Sequence, residues 1–180
     1  GNARVVVSLI DADASQHISL AILQHLLPAV EVVAISGQQS FGELTSLLVP
    51  RLGNGVFAVI EPAVTLNEEE VRRLWAAVAP GQVVAPVQLQ ADGTVASFGA
   101  ARIAGAGVYR VLADHPVEDL AGFEGARVDV PLLAGRTFAM TGADFEQVAK
   151  AHGGTAPQSL AQISARLAAL GGMSRVSVLT

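Results

Sequence analysis

Apolar positions along this chain fall into blocks whose lengths fit strands and helices in turn. Three apolar runs rich in β-branched residues have strand length, and they cover residues 4–10, 30–36 and 55–61. Between and after them lie three stretches with helical apolar spacing, at residues 15–27, 41–53 and 67–79. The second of these helices is predicted to bend or end near Pro50 and Gly53. Such alternation favours a parallel sheet with helices on both faces.

The pattern changes after residue 80. Two apolar runs, 82–90 and 95–103, flank Asp92-Gly93, a favoured tight-turn pair, and together they predict an antiparallel hairpin. The glycine-rich stretch 104–126 has no clear period and is expected to be a surface loop. The remaining elements are two short strands at 127–135 and 136–142, helices at 143–154 and 159–172, and a final strand at 174–179. No repeat or linker divides the chain, so a single α/β domain over residues 1–180 is predicted.

Composition narrows the function classes. The chain has 180 residues, of which 51% are apolar and 15% charged, enough to bury one ordinary core. A net charge of −5 with no basic run disfavours nucleic-acid binding, which needs clustered cations. Cysteine is absent, which excludes disulfides, thiolate zinc sites and cysteine nucleophiles.

Charged or glycine residues interrupt every apolar run before the roughly 18 residues that a membrane span needs. No signal peptide is visible, so a cytoplasmic domain is expected. Ten arginines against the single Lys150 suggest a high-GC bacterial genome.

Several short sequence motifs occur in a particular order along the chain. Residues 55–101 contain an apolar strand, an acidic turn, a helix and then V-x-A-P-V-x-L-x-x-D-G-T-V. Residues 128–154 contain V-D-V-P-L-L-A-G and then F-E-Q-V…G-G, and the tail reads L-x-Q-I-S-A-R-L…R-V-S-V-L. In order and spacing these blocks resemble family-2 inverting glycosyltransferases. The resemblance implies a GT-A-like, three-layer α/β domain with a mainly parallel central sheet and a small antiparallel flap.

The resembled family carries acids at three places, and this chain departs from the pattern at each. The acid that reads the nucleotide base is matched by Ser36, which can hydrogen-bond but has no charge. The metal-binding Asp-x-Asp turn is matched by Glu61-Pro62-Ala63, which leaves Glu61 as one weak ligand for Mn²⁺ or Mg²⁺. The general base is matched by Ala161-Gln162, and neither residue can take a proton.

Other residues are candidates for nucleotide binding and for the acceptor side of the site. Asp11 and Asp13 follow the first strand and are assigned with Ser36 to nucleotide binding, although they could simply cap a helix. Asp129 and Arg136 match the acceptor side of the family's site. Between the second strand and the acidic turn the chain has about 20 residues, fewer than the family carries there, so part of the donor-binding wall is expected to be missing.

Three hypotheses for function follow. The first is a degenerate, non-catalytic glycosyltransferase-like module that binds a nucleotide-sugar or glycan, within a longer protein or assembly. The second is an active, inverting, metal-assisted transferase with an atypical site that uses Glu61, Asp11 or Asp13, and Asp129. The third is a phosphatase-like or nucleotide-binding α/β protein, because Asp11-x-Asp13 resembles the aspartyl-phosphate motif of haloacid-dehalogenase-like phosphatases.

Overall fold

The structure is a computed structural model, and it describes residues 5–10, 25, 30–35, 40–60, 67–105, 107–135, 137–151 and 153–178. The chain divides into two compact units, residues 1–53 and residues 54–180. They are described separately below. That all 180 residues form a single domain remains a prediction.

The first unit contains two parallel strands. Strand β1 (Val5–Ile10) pairs with β2 (Val30–Ile35) in unbroken register, which confirms both predicted strands. Helix α1 (Phe41–Leu52) begins at Ser40, whose hydroxyl accepts the Glu43 N–H while the Glu43 carboxylate accepts the Ser40 N–H. The helix ends at Leu52, as Pro50 and Gly53 predict. The predicted helix 15–27 lies outside the described residues, apart from His25.

The second unit contains the remaining described strands and helices. Its strands are β3 (Val56–Val59), β4 (Gln82–Pro86), β5 (Gln88–Leu89), β6 (Val95–Ser97), β7 (Ala100–Ile103), β8 (Gly107–Arg110), β9 (Arg127–Val130), β10 (Phe138–Thr141) and β11 (Met173–Ser177). Its helices are α2 (Glu68–Ala76), α3 (Gly142–Lys150) and α4 (Leu160–Ala169), with a 3₁₀ turn at Val117–Leu120. The predicted strands at 127–142 and 174–179 and the helices at 67–79, 143–154 and 159–172 are confirmed within a few residues.

Five strands form the central sheet of this unit in the order β3-β10-β4-β11-β9. Only the β4–β11 pairing is parallel among its four pairings. Strands β3, β4 and β11 nevertheless run in one direction, because β10 lies antiparallel between β3 and β4. The described sheet is therefore mixed, and the mainly parallel central sheet expected from the sequence is not confirmed.

Helices cover both faces of this sheet. Leu74 and Ala77, on and just after α2, pack with Val84 and Ala139 in one apolar cluster. On the opposite face the Phe57 ring makes edge-to-face contacts with Phe138 and with Phe145 of α3, with centroids 5.9 and 6.1 Å apart. Because neighbouring strand residues point to opposite faces, α2 and α3 lie on opposite sides of this sheet.

A buried carboxylate fixes the start of α3 to the sheet. Asp144 is only 7% exposed, and its Oδ2 accepts the Thr141 hydroxyl at 2.6 Å and the Gly81 N–H at 3.0 Å. Gly81 directly precedes β4, so this one side chain joins residues far apart in sequence. Its hydrogen bonds satisfy a group that would otherwise be costly to bury.

The predicted hairpin is shorter than expected. Strand β4 pairs on both sides within the central sheet, so only β5 and β6 form the hairpin around Asp92-Gly93. The Asp92 carboxylate accepts the N–H and the hydroxyl of Thr94, at 3.0 and 2.7 Å, which closes the predicted turn. The next strand, β7, turns away at Gly99 and pairs instead with β8. The expectation of an irregular loop over 104–126 is therefore wrong for residues 107–110.

Candidate functional site

The strands that share a direction end at one side of the central sheet. We call this side the carboxyl edge, and it is marked by Val59 of β3, Pro86 of β4 and Ser177 of β11. Open α/β sheets bind their ligands outside the carboxyl ends of such strands. Residues that follow these strand ends are therefore the first candidates for a site.

The N-terminus of α4 lies toward the same edge. After α4 the chain reaches the opposite side of the sheet, where the Met173 N–H donates to the Gly81 carbonyl, just before β4, at 2.9 Å. A helix of ten residues is about 15 Å long, comparable to the strands it crosses. Ser159, its N-cap, is thus placed near the carboxyl edge, the region to which the resemblance assigns the general base.

Gln162 acts as a helix cap at this position. Its Oε1 accepts the Gln158 N–H at 2.8 Å, and its own N–H donates to the Ser159 hydroxyl at 3.2 Å. These contacts satisfy backbone and side-chain groups at the start of α4. A side-chain amide does not take up a proton as a carboxylate does. Gln162 therefore caps the helix and cannot act as a general base.

Asp129 lies on a sheet face and not at the carboxyl edge. In register it is opposite Arg175, which is in turn opposite Val84 in the middle of β4. The Arg175 Nε donates to the Asp129 carboxylate at 2.7 Å, and Arg175 Nη1 donates to Gln82 at 3.3 Å. Asp129 is 62% exposed, so this cross-strand ion pair is largely solvated. The structure gives Asp129 a local partner, and its acceptor-side role remains a prediction.

The other candidate residues of the sequence analysis lie outside the described residues. They are Asp11, Asp13, Ser36, Glu61 and Arg136. Their proposed roles in nucleotide, metal and acceptor binding therefore remain predictions. Of the seven candidates, the structure describes Gln162 and Asp129 and does not bring these two together.

Gln88 is a polar residue at the carboxyl edge that sequence reasoning missed. It follows β4 by two residues, and its Nε2 is buried without a hydrogen-bond partner in the described part of the chain. Its carboxamide lies against Gly135, where an added Cβ would stand 2.7 Å from Gln88 Oε1. The sequence singles out no glutamine here, because the run 82–90 also contains Gln82 and Gln90.

Metal-binding groups are not clustered in the described part of the chain. Among those residues, no three His, Asp or Glu side chains lie close enough to hold one ion. A hard cation prefers six or more oxygen ligands. The described residues thus do not fit a cation site built by protein side chains, and Glu61 lies outside them.

Among the residues that the structure describes, two carboxyl groups have a clearly shifted pKa, and each shift has a structural cause. Hydrogen bonds from the backbone and hydroxyl of Thr94 lower the pKa of Asp92, and those of Ser40 lower the pKa of Glu43. One carboxylate closes a hairpin turn and the other caps a helix. Neither shift marks a catalytic acid or base.

Within the ranges that the structure describes, every helix is too short or too polar to cross a bilayer.

Comparison with known proteins supports the fold. No protein-family model and no curated protein matches the chain. A crystal structure of GalNAc-T7 with UDP, GalNAc and Mn²⁺ matches 97% of this chain with a TM-score of 0.65 and 15% sequence identity. The match covers 36% of that longer chain. At this identity the likeness is one of fold, and the fold is similar to that of a GT-A glycosyltransferase.

Proposed function

We propose that this chain is a family-2 glycosyltransferase-like domain that binds a nucleotide-sugar or glycan at the carboxyl edge without transferring sugar. It then serves as a binding or assembly module. The GT-A-like fold supports the ligand class, since the neighbour of similar fold was solved with UDP, GalNAc and Mn²⁺. Bacterial origin, a cytoplasmic location and a mainly parallel sheet across the whole chain remain predictions alongside it.

One observation carries the non-catalytic part of the proposal. At the place of the family's base, Gln162 uses its amide to bond the Gln158 N–H. Inverting transfer requires a group that removes a proton from the acceptor hydroxyl as the new bond forms. An amide cannot do so, and the hydrogen bond that its Oε1 accepts at the helix start accounts for its presence there.

A second candidate is an active transferase that uses Glu61 with Mn²⁺ or Mg²⁺. It is favoured by the fold likeness to an enzyme solved with a nucleotide and Mn²⁺. Because the described residues provide no cluster of cation ligands, the donor diphosphate and water would have to supply most of the oxygens. This candidate therefore predicts weak, strongly metal-dependent binding.

A thermal-shift screen with UDP-, GDP- and dTDP-sugars, with and without Mn²⁺, separates the two candidates. A ligand at one hundred times its Kd stabilises the folded state by about 2.7 kcal/mol. The module predicts that any shift survives Glu61→Ala and comes with no release of nucleoside diphosphate. A metal-dependent shift that Glu61→Ala abolishes, with diphosphate release, would support the active transferase instead.

The phosphatase-like alternative has its own test. It rests on Asp11 and Asp13, which lie outside the described residues. Hydrolysis of a generic phosphoester that is lost in Asp11→Asn would replace both glycosyltransferase-like candidates.

A further inference from the structure

The hairpin formed by β7 and β8 is held firmly at its base. Ala100 is fully buried, and it exchanges two backbone hydrogen bonds with Leu132, at 2.8 and 3.1 Å. Gly99 precedes it with φ 94°, and a Cβ there would lie 3.0 Å from Val130. The close packing fixes the direction in which the hairpin leaves the domain.

The outer part of the hairpin exposes large apolar side chains. Ile103 and Val108 are 52% exposed and Tyr109 is 50% exposed. Isolated exposed apolar residues are ordinary, but here three stand together on two short paired strands. About half of each side chain stays in contact with water, an arrangement that favours a further partner at this surface.

The two faces of the hairpin are both partly apolar. Directly opposed residues share a face, so Arg102 and Val108 lie on one side with Arg110. Ile103 and Tyr109 lie on the other side. A two-sided apolar tip suits insertion into a soft, surrounding medium better than docking on one flat protein surface.

Charge along the hairpin segment of the sequence has a single sign. Residues 93–113 contain Arg102 and Arg110 and no Asp or Glu, although the whole chain has a net charge of −5. Residues 103–108 of the sequence, Ile-Ala-Gly-Ala-Gly-Val, carry no charge. Arg102 is opposite Val108 in register and Arg110 is opposite Ala100, so the two arginines lie beside and behind the exposed apolar side chains. Apolar side chains next to arginines, whose long side chains can reach toward phosphates, suit the interface of an anionic bilayer.

We propose that the β7–β8 hairpin is a membrane-contact element that inserts its tip into the surface of an anionic bilayer. Ile103, Val108 and Tyr109 enter the boundary between headgroups and acyl chains. Arg102, level with Val108, and Arg110, at the base of the hairpin, bind lipid phosphates. The acidic remainder of the chain is repelled by the same surface, which orients the domain with the hairpin toward the lipid. This inference is independent of the proposed function.

Vesicle co-sedimentation tests it on the 180-residue chain. Wild type is expected to bind vesicles of phosphatidylcholine with phosphatidylglycerol, to bind pure phosphatidylcholine at least tenfold less, and to weaken in high salt. Arg102→Gln and Arg110→Gln should each reduce binding about fivefold, since one cation near an anionic surface contributes about 1 kcal/mol. Ile103→Ser/Val108→Ser should reduce it at least tenfold.

A matched control uses exposed apolar residues outside the hairpin. Leu170 and Met173 are 46% and 42% exposed, and Leu170→Ser/Met173→Ser should bind vesicles like wild type. Circular dichroism checks that every variant is folded. Equal loss in this control, or no binding of folded wild type to anionic vesicles, would overturn the proposal. Self-association that depends on the hairpin, without vesicle binding, would overturn it in favour of a protein interface.

Insertion depth gives an independent readout. Trp75 is the only tryptophan, so Tyr109→Trp in a Trp75→Phe background places one reporter on the hairpin. Its emission should shift to the blue on anionic vesicles and be quenched by brominated acyl chains. An unshifted, unquenched reporter on bound protein would show that another surface contacts the lipid.

Discussion

Gln162 illustrates what sequence reasoning can reach at the scale of one residue. Ser159 and Gln162 have the Ser-x-x-Gln spacing of a capping box, so a capping role was readable from the sequence. The partner of the Gln162 side chain could not be predicted, because its Oε1 accepts the Gln158 N–H and not the N–H of the N-cap residue Ser159. That choice depends on how the chain enters the helix, which no local pattern records. Gln88 is a harder case, since its neighbour Gly135 is distant in sequence.

The capping role of Gln162 makes a prediction about stability. Gln162→Ala should lower the free energy of unfolding by about 1 kcal/mol, because the Gln158 N–H loses its acceptor. Gln162→Glu should keep most of that energy, since a carboxylate accepts the same bond and suits a helix N-terminus. Urea denaturation measures both. Gln147→Ala, at an exposed glutamine of α3, is the control and should change little; an equal loss there would refute the capping role.

Asp92 provides a second test at this scale. Its pKa lies below the ordinary value of 3.8, chiefly through the Thr94 N–H and then through the Thr94 hydroxyl. The turn is therefore stabilised above pH 3.8 and loses this contribution as pH falls through the lowered pKa. Thr94→Val should raise the pKa of Asp92 partway, since the N–H donor remains. Carboxyl NMR titration measures this, with Glu43 as the unaffected control; an unchanged Asp92 would contradict the assignment.

At the scale of elements, most described strands and helices could be predicted from the sequence, and the failures have two causes. Residues 107–110 form β8 although all four are exposed, so no buried face leaves a period-2 signal. The apolar run 82–90 was predicted to be one strand of a hairpin because Asp92-Gly93 follows it. Its first half instead pairs with β10 and β11, which come much later in the chain. The turn was predicted correctly from its local residues. Pairing with strands distant in sequence leaves no local pattern and was therefore not predicted.

The junction between α4 and β11 yields a prediction for this scale. A Cβ on Gly172 would stand 2.7 Å from the Gly81 carbonyl oxygen and 2.6 Å from Leu167 Cγ. Gly172→Ala should therefore cost about 2–3 kcal/mol, as overpacked sites do. Gly171 has φ 83° but open space around it, so Gly171→Ala should cost only about 1 kcal/mol of backbone strain. Denaturant midpoints of the two variants measure these costs. A larger loss of stability in Gly171→Ala than in Gly172→Ala would show that the junction accommodates the added Cβ without strain.

At the scale of the whole molecule, the order of elements pointed to the GT-A-like fold, and the sheet did not follow the simplest form of that expectation. Strand β10 enters antiparallel between β3 and β4, and its Phe138 and Met140 are fully buried. Pairing of this kind joins residues distant in sequence, so no local period records it. The candidate site was less predictable than the fold. Its acids were judged from single positions, whereas a ligand site depends on groups that converge from several elements.

Release of nucleoside diphosphate from UDP-, GDP- and dTDP-sugars by the folded wild-type chain, with Mn²⁺ present, tests the central claim most directly. The claim is that the place of the family's base is held by a capping amide, so no sugar is transferred. We predict that release stays at the level of the protein-free blank for every donor, including one that raises the melting temperature. Catalytic release that is linear in enzyme concentration and is lost in Glu61→Ala would contradict it.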